Sequence, residues 1–342
     1  MGHTVLKSQD ENLAKDMSCS LRAYGKSIER DTARLVRAGQ KIAGYTIGEV
    51  CGSGGISEAR YATHNRTGKT RVIKYPRPGM LTAFEDMVTT AFESEAEILG
   101  SIRHPNIVRG YKPFKYNDVT YIPMEPLEIG LPEFMQDFSM EKLQVFMESA
   151  TDALKYLHDP SRAIVHCDIK PQQFMLDLEG TIKLIDFGSA RYEGEIFDNV
   201  ATTETFFPRD ARPEKVERPI DMYSFGRTIM SLLLSDICAY DPELRKELLS
   251  DAQHETVIEF LEGSGVPEYL TRSIIGNCIS SVTEDPDFDI EALEHHVYIF
   301  GRDFLEDYTG NIPKHPDMAD MPCQRRSEHN HCIVDAYGSS IF

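Results

Sequence analysis

Two aspartates, Asp168 and Asp186, are the most informative pair of side chains in this 342-residue chain. The first lies in His166-Cys167-Asp168-Ile169-Lys170-Pro171-Gln172-Gln173-Phe174, and the second opens Asp186-Phe187-Gly188. An acid able to orient a hydroxyl, a lysine two residues on and a second acid ending a strand are what metal-assisted phosphoryl transfer needs. Taken singly the fragments are weak. An Asp-Phe-Gly tripeptide is more often a turn, and His-x-Asp more often a hydrogen-bonded loop. At this spacing they support one another.

The elements that must position these groups can be read from hydrophobic period. Phe174-Met175-Leu176 and Ile182-Lys183-Leu184-Ile185 read as strands of a hairpin turning at Leu178-Glu179-Gly180, so the two acids flank a hairpin. Leu143, Phe146, Met147, Ala150, Leu154 and Leu157 follow helical spacing, and Met222 to Leu234 is a second apolar helix. Upstream, Tyr45-Thr46-Ile47, Arg71-Val72-Ile73 and Val119-Thr120-Tyr121-Ile122 are β-rich runs around one helical stretch, Phe92 to Ile102. The expected organisation is a polar extension over 1–43, a small β-rich lobe with one helix over 44–127, a larger helical lobe over 128–305 and a polar tail over 306–342. In the extension, Leu21, Ile28, Leu35 and Ile42 mark at most a weak amphipathic helix.

The length allows two units or one large bilobal domain without staples. Thirty-six Lys and Arg against 55 Asp and Glu give a formal charge of −19, which disfavours nucleic acid and anionic membrane and favours a basic or neutral partner. Seven scattered cysteines do not read as a disulfide framework, and a reducing compartment fits them best. No stretch reads as a signal peptide or membrane span, so a soluble intracellular protein is expected, cytoplasmic with the nucleus open as well. Gly2 lacks the Ser or Thr that a myristoylation motif places where Leu6 stands.

In these motifs and their order the chain resembles the eukaryotic protein kinase family, of the serine/threonine type, over roughly residues 44–300. Val50-Cys51-Gly52-Ser53-Gly54-Gly55-Ile56-Ser57-Glu58-Ala59 is similar to the glycine-rich loop, with Ser57 at the third glycine and Ala59 at the following valine. Arg71-Val72-Ile73-Lys74 matches the third-strand lysine motif. His104-Pro105-Asn106-Ile107-Val108 is a distinctive family sequence, and counting back from His104 leads to Glu95 as the partner of Lys74, ahead of Glu93 and Glu97. Tyr121-Ile122-Pro123-Met124-Glu125-Pro126-Leu127 resembles the strand and hinge that receive adenine.

The resemblance implies an α+β, bilobal protein-kinase-like fold and ATP-dependent phosphorylation of a Ser or Thr hydroxyl on a protein. It implies ATP at Gly52, Ser53, Gly54, Gly55, Lys74, Glu95, Met124, Glu125 and Leu127. Mg²⁺, or Mn²⁺, is expected at Gln173 and Asp186, with Asp168 receiving the substrate proton and Lys170 stabilising the transferred phosphoryl group. Phe187 is expected under the helix bearing Glu95. Replacing Lys74 by Met is expected to weaken or abolish transfer with thermal stability nearly unchanged.

Three departures stand out. Gln173 replaces the usual asparagine of the metal site. Cys167 replaces the arginine that captures an activating phosphate, which points to constitutive or partner-driven ordering and leaves room for a regulatory protein. Thr202-Thr203-Glu204-Thr205-Phe206-Phe207-Pro208-Arg209-Asp210 aligns with the substrate-side stretch ending in Ala-Pro-Glu, with Arg212-Pro213-Glu214 as a rival placement. The first placement puts Thr203 against the catalytic aspartate and lysine. Asp221-Met222-Tyr223-Ser224-Phe225-Gly226 resembles the buried helix start that ties down the catalytic loop, and Asp289 stands where the family has an arginine. A pseudokinase acting as a nucleotide- or partner-binding scaffold is the alternative, and a small-molecule kinase a third reading. Cys323, His329, His331 and Cys332 match no structural zinc spacing, and Ser340-Ile341-Phe342 is a common kind of ending.

Overall fold

The computed structural model describes residues 36–196, 202–208, 214–250, 254–282 and 288–305. Residues 1–35 of the extension, the tail with its cysteines and histidines, and the stretches holding Arg209, Asp210 and Arg212 lie outside them. The described chain divides into two units, one running to Ala96 and adding Gly110–Met124, the other comprising Glu97–Arg109 and the chain from Glu125 onward.

The first unit is a six-stranded sheet in the order β1-β2-β3-β4-β6-β5, built from β1 (Lys41–Ile42), β2 (Tyr45–Ser53), β3 (Ser57–His64), β4 (Thr70–Pro76), β5 (Phe114–Tyr116) and β6 (Val119–Met124). Every neighbouring pair is antiparallel. The sheet therefore begins at Lys41, and Ile42 is one of its strand residues rather than part of a preceding helix. On β2 the alternation of Tyr45 and Ile47 inward with Thr46 and Gly48 less buried follows the period of a strand with one covered face. The β2–β3 register slips twice, between Ile47 and Val50 and between Val50 and Gly52. Such bulges increase local twist, and at Gly48 a Cβ would sit 3.0 Å from the Tyr61 carbonyl oxygen.

The sheet curls until rings on its two outer regions meet. Tyr45 of β2 stacks on Phe114 of β5 at 5.7 Å, Phe114 on Tyr121 at 5.2 Å with planes 2° apart, and Tyr121 on Tyr75 at 5.2 Å. Offset aromatic pairs of this kind add to the stabilisation from burial alone.

Helix α1 (Pro78–Ser101) begins well before Phe92, with non-helical torsions at Phe84. Its first half is hard to read from period because Phe84 and Met87 are apolar yet about half exposed. Val88, Phe92, Glu95 and Leu99 form its buried stripe at helical spacing, while Glu93 and Glu97 are exposed.

The second unit is mainly helical: α2 (Leu131–Phe134), α3 (Met140–His158), α4 (Pro219–Ile237), α5 (Pro242–Ser250), α6 (His254–Gly263), α7 (Asn277–Ser280) and α8 (Ile290–Ile299), with π-helical turns at Tyr269–Gly276 and Phe300–Leu305. Ser139 caps α3, accepting from the Lys142 amide at 3.2 Å. Helix α4 is buried on all sides from Ile220 to Met230, as befits a helix at the centre of a core. Gly226 lets a neighbour approach it, since a Cβ there would lie 2.9 Å from Cys278 Cβ and 3.2 Å from the Ile275 carbonyl oxygen.

Short strands complete this unit. β7 (Ile129–Gly130), β9 (Phe174–Leu176) and β10 (Ile182–Leu184) form a sheet in the order β10-β9-β7, and β8 (Ile164–Val165) pairs with β11 (Arg191–Tyr192). The hairpin β9–β10 places Gln173 before its first strand and Asp186 after its second. No helix among the described residues is long and apolar enough to cross a membrane.

Candidate active site

In the first unit, strands β2 and β3 meet at the glycine turn. Gly52 is paired with Ala59 and Ser53 with Glu58, and the Gly54 amide donates to the Ser57 carbonyl at 2.9 Å. Arg77, one residue past β4, fastens the turn from outside. Its amide donates to Ile56 O at 2.9 Å and its guanidinium to Gly54 O at 3.0 Å. Nothing in the motif singles out Arg77, because it acts on backbone atoms. Ser57, at the place of a third glycine, is buried opposite Pro76.

Beside this turn, Lys74 of β4 faces Ala59 across the strand pair. Its ammonium donates to both Glu95 carboxylate oxygens, at 2.8 and 2.9 Å, and lies 5.7 Å from the Phe92 ring centre. Glu95 is 1 % exposed and Lys74 11 %, so this is a nearly dehydrated ion pair whose worth depends on close bidentate geometry. Glu93 instead meets Lys115 on the surface at 2.6 Å. On the same strands Tyr75 donates to Glu58 and is approached by Arg60 at 2.8 Å. Burial, and then the neighbouring Glu58 carboxylate, push the Tyr75 phenol well above its ordinary value. Met124 ends β6.

In the second unit, the chain leaves β8 through His166 and Cys167, and Cys167 takes the left-handed conformation with φ 65°. A non-glycine residue holds that conformation only when its surroundings impose it, and Asp221 does so here. The fully buried Asp221 carboxylate accepts from the His166 and Cys167 amides, both at 2.8 Å, and bonds His158 Nε2 at 2.9 Å. Cys167 packs in an apolar cluster with Val165, Phe207, Val216 and Ile220. Burial, then Asp221, push its thiol far up, which leaves it protonated and poorly nucleophilic.

Asp168 sits at the centre of a closed network. Its Oδ1 accepts from Thr203 Oγ1 at 2.8 Å, and its Oδ2 lies 2.8 Å from Lys170 Nζ and accepts from Gln173 Nε2 at 2.9 Å. Lys170 Nζ in turn donates to Thr203 Oγ1 at 2.7 Å. Thr203 therefore both donates and accepts, which fixes its hydroxyl. Thr203 is the residue that the first of the two substrate-side placements puts here. Glu214, of the rival stretch, is exposed.

Gln173 ends a 3-10 turn, Pro171–Gln173, and its carbonyl accepts from Ile185 N at 2.8 Å. That bond ties the Asp168 loop to the residue preceding Asp186. Asp186 has φ 59°, and its Oδ1 accepts from Gly188 N at 3.3 Å. Phe187 is fully buried, edge-on to His166 with ring centres 5.0 Å apart.

Glu125 and Leu127 lie on the loop by which the chain returns to this unit after β6. Glu125 exchanges hydrogen bonds with Arg109, its amide donating to Arg109 O at 3.0 Å and its Oε1 accepting from Arg109 N at 2.8 Å. The nearly buried Lys183 of β10 also reaches Glu125 at 3.3 Å and Asp177 at 3.4 Å, while donating to Pro105 O at 2.8 Å. Lys183 reads from the sequence as an ordinary strand residue. Only the fold shows that it braces this loop.

The chain after Asp186 is held at both ends. Besides β8–β11, Gly194 N donates to Val216 O, Val216 N to Glu195 O, and Arg218 pairs with Glu193 at 2.8 Å. Asp289, where the kinase pattern has an arginine, caps α8 by accepting from Ala292 N at 3.0 Å.

Sequence comparison places the chain among known proteins. The protein kinase domain family matches residues 45–273. The probable serine/threonine-protein kinase PknB of Bifidobacterium longum is 28% identical over 209 residues, covering 55% of this chain and 30% of that protein. A probable serine/threonine-protein kinase of Dictyostelium discoideum is 26% identical over 253 residues, 72% of this chain and 53% of that protein. A third, from Streptomyces coelicolor, is 31% identical over 202 residues, 55% and 30% respectively. The chain thus spans about a third to a half of the length of these relatives. A sheet unit with its Lys74–Glu95 pair, a helical unit with its Asp168 network, and a family match running through both lead to one conclusion: the chain belongs to the protein kinase family.

Proposed function

We propose that the protein is an ATP-dependent serine/threonine kinase that transfers the γ-phosphoryl group to a protein hydroxyl. The observation that carries this reading is the Asp168–Thr203–Lys170 network, with all three contacts at 2.7–2.8 Å. A carboxylate and an ammonium held side by side can take the proton of an acceptor hydroxyl and offset charge on the group being transferred. Thr203 keeps the two at fixed separation.

The residues fit the cofactors. The glycine turn offers backbone amides, and Lys74, steadied by Glu95, offers an ammonium to phosphate oxygens. Met124, Glu125 and Leu127 are assigned to adenine. Among the described residues no three His, Cys, Asp or Glu form a metal cluster, and magnesium needs none, since it binds through one or two carboxylates together with water and substrate phosphates. Asp186 supplies such a carboxylate. Gln173 uses its side-chain N–H on Asp168, so its side-chain oxygen Oε1 is the atom able to meet a cation. Bound Mg²⁺ or Mn²⁺ would neutralise phosphate charge. A protein substrate and a cytoplasmic setting complete the reading.

The test is transfer of label from γ-labelled ATP by purified protein, with Mg²⁺ and separately Mn²⁺, beside Asp186→Ala. Label on Ser or Thr that is lost in the variant is the expected outcome. One observation favours the scaffold alternative: the Gln173 amide already occupies an Asp168 oxygen that would otherwise be available to substrate. Nucleotide binding without any transfer would support that reading instead.

A further inference from the structure

Helix α4 carries an arginine where its surroundings are apolar. Arg227 is only 3 % exposed, on a helix whose neighbouring residues Phe225, Ile229 and Met230 are all fully buried. A guanidinium is costly to bury unless its donors find partners, and Arg227 draws partners from at least three separate places. Nε donates to the Thr205 carbonyl at 3.1 Å, one Nη to the Leu249 carbonyl at 2.5 Å, and the other Nη lies 3.4 Å from His254 Nδ1. Leu249 is in the last turn of α5, where carbonyls lack helical donors and a cation is favourable. His254 opens α6 and is steadied by the Tyr223 hydroxyl, 3.2 Å from its Nε2.

The third partner bears on substrate. Thr205 is central to the 3-10 turn Glu204–Phe206, which follows directly on Thr203. The Phe206 amide closes this turn on Thr203 O at 2.9 Å. Thr203 holds Asp168 and Lys170, so a shift of the Thr205 backbone reaches the groups assigned to the acceptor hydroxyl. Asp289 caps α8 and so is occupied elsewhere.

We propose that Arg227 is a positioning residue for the protein substrate: from inside α4 it tethers the turn 203–207 on which the acceptor segment docks. The proposal rests on the kinase reading. A planar fork suits the task, because it serves several acceptors in fixed directions, which a lysine ammonium on a flexible stem cannot do.

The experiment compares wild type with Arg227→Lys, Arg227→Met and His254→Ala. Two readouts are taken: amide exchange at Phe206 and Phe207, and steady-state transfer to a Ser/Thr peptide. For Arg227→Lys we expect faster exchange at those amides and a peptide KM raised about tenfold, with KM for ATP unchanged; Arg227→Met, if it folds, shows a larger effect. His254→Ala, which spares the Thr205 contact, leaves peptide KM near wild type. Unchanged exchange in Arg227→Lys overturns the tether. Faster exchange with unchanged peptide KM, or an equal rise in His254→Ala, overturns the substrate role. If wild type transfers no phosphate the kinase reading fails, and exchange at Phe206 and Phe207 still decides whether Arg227 holds the turn.

Discussion

Replacing Lys74 by methionine removes the ammonium beside a nearly buried carboxylate. Spacing alone suggests that such a change spares stability, but Glu95 is 1 % exposed, and a buried carboxylate deprived of its cation is strongly unfavourable. Lys74→Met is therefore expected to abolish transfer and also to cost about 3–5 kcal/mol, read by chemical denaturation. The double variant Lys74→Met, Glu95→Gln should recover most of that stability while remaining inactive. At Gln173 the extra methylene lets the amide reach Asp168. Gln173→Asn shortens that reach and leaves its carbonyl nearer the backbone, so half-saturation by Mg²⁺ is expected to fall by up to about tenfold, measured by metal titration of transfer. An unaltered titration would remove Gln173 from the metal site. The positions of Lys74, Asp168 and Asp186 are legible in the sequence because each belongs to a motif of unusual residue types. Arg227, Arg77 and Lys183 are not, because each acts on main-chain carbonyls or on residues distant in sequence, and a backbone acceptor leaves no trace in residue identity.

Among the elements, α4 shows how a buried helix both supports and limits the site. Its first turn provides Asp221 for the Asp168 loop, its middle provides Arg227 for the turn 203–207, and Gly226 between them admits α7. Gly226→Ala would place a methyl 2.9 Å from Cys278 Cβ, so this otherwise helix-favouring change is expected to destabilise by about 1–3 kcal/mol, with a lower melting temperature as the readout. A neutral or raised melting temperature would mean that α7 moves freely. The apolar run from Met222 to Leu234 is readable as a helix, as are α3 and the hairpin β9–β10, since their periods are unbroken. The start of α1 is not, because Phe84 and Met87 fall off its buried stripe. The π-helical turn Tyr269–Gly276 is likewise hidden, as its wider winding follows neither the 3.6 nor the 2.0 period.

For the molecule as a whole, 55 acidic against 36 basic residues set the long-range field. An acceptor peptide rich in Lys and Arg is expected to show a lower KM than an acidic peptide of the same length, and the difference should shrink as ionic strength rises. Salt-independent KM values would show that local contacts decide the choice. The curled sheet of the first unit has an optical consequence. The chain contains 15 tyrosines and no tryptophan, so indole signals are absent, and the rings of Tyr45, Phe114, Tyr121 and Tyr75 are stacked in one chiral array. Their coupled transitions should give this unit a near-ultraviolet circular dichroism band of its own. Loss of that band during heating would time the opening of the sheet separately from the melting of the helices seen in the far ultraviolet.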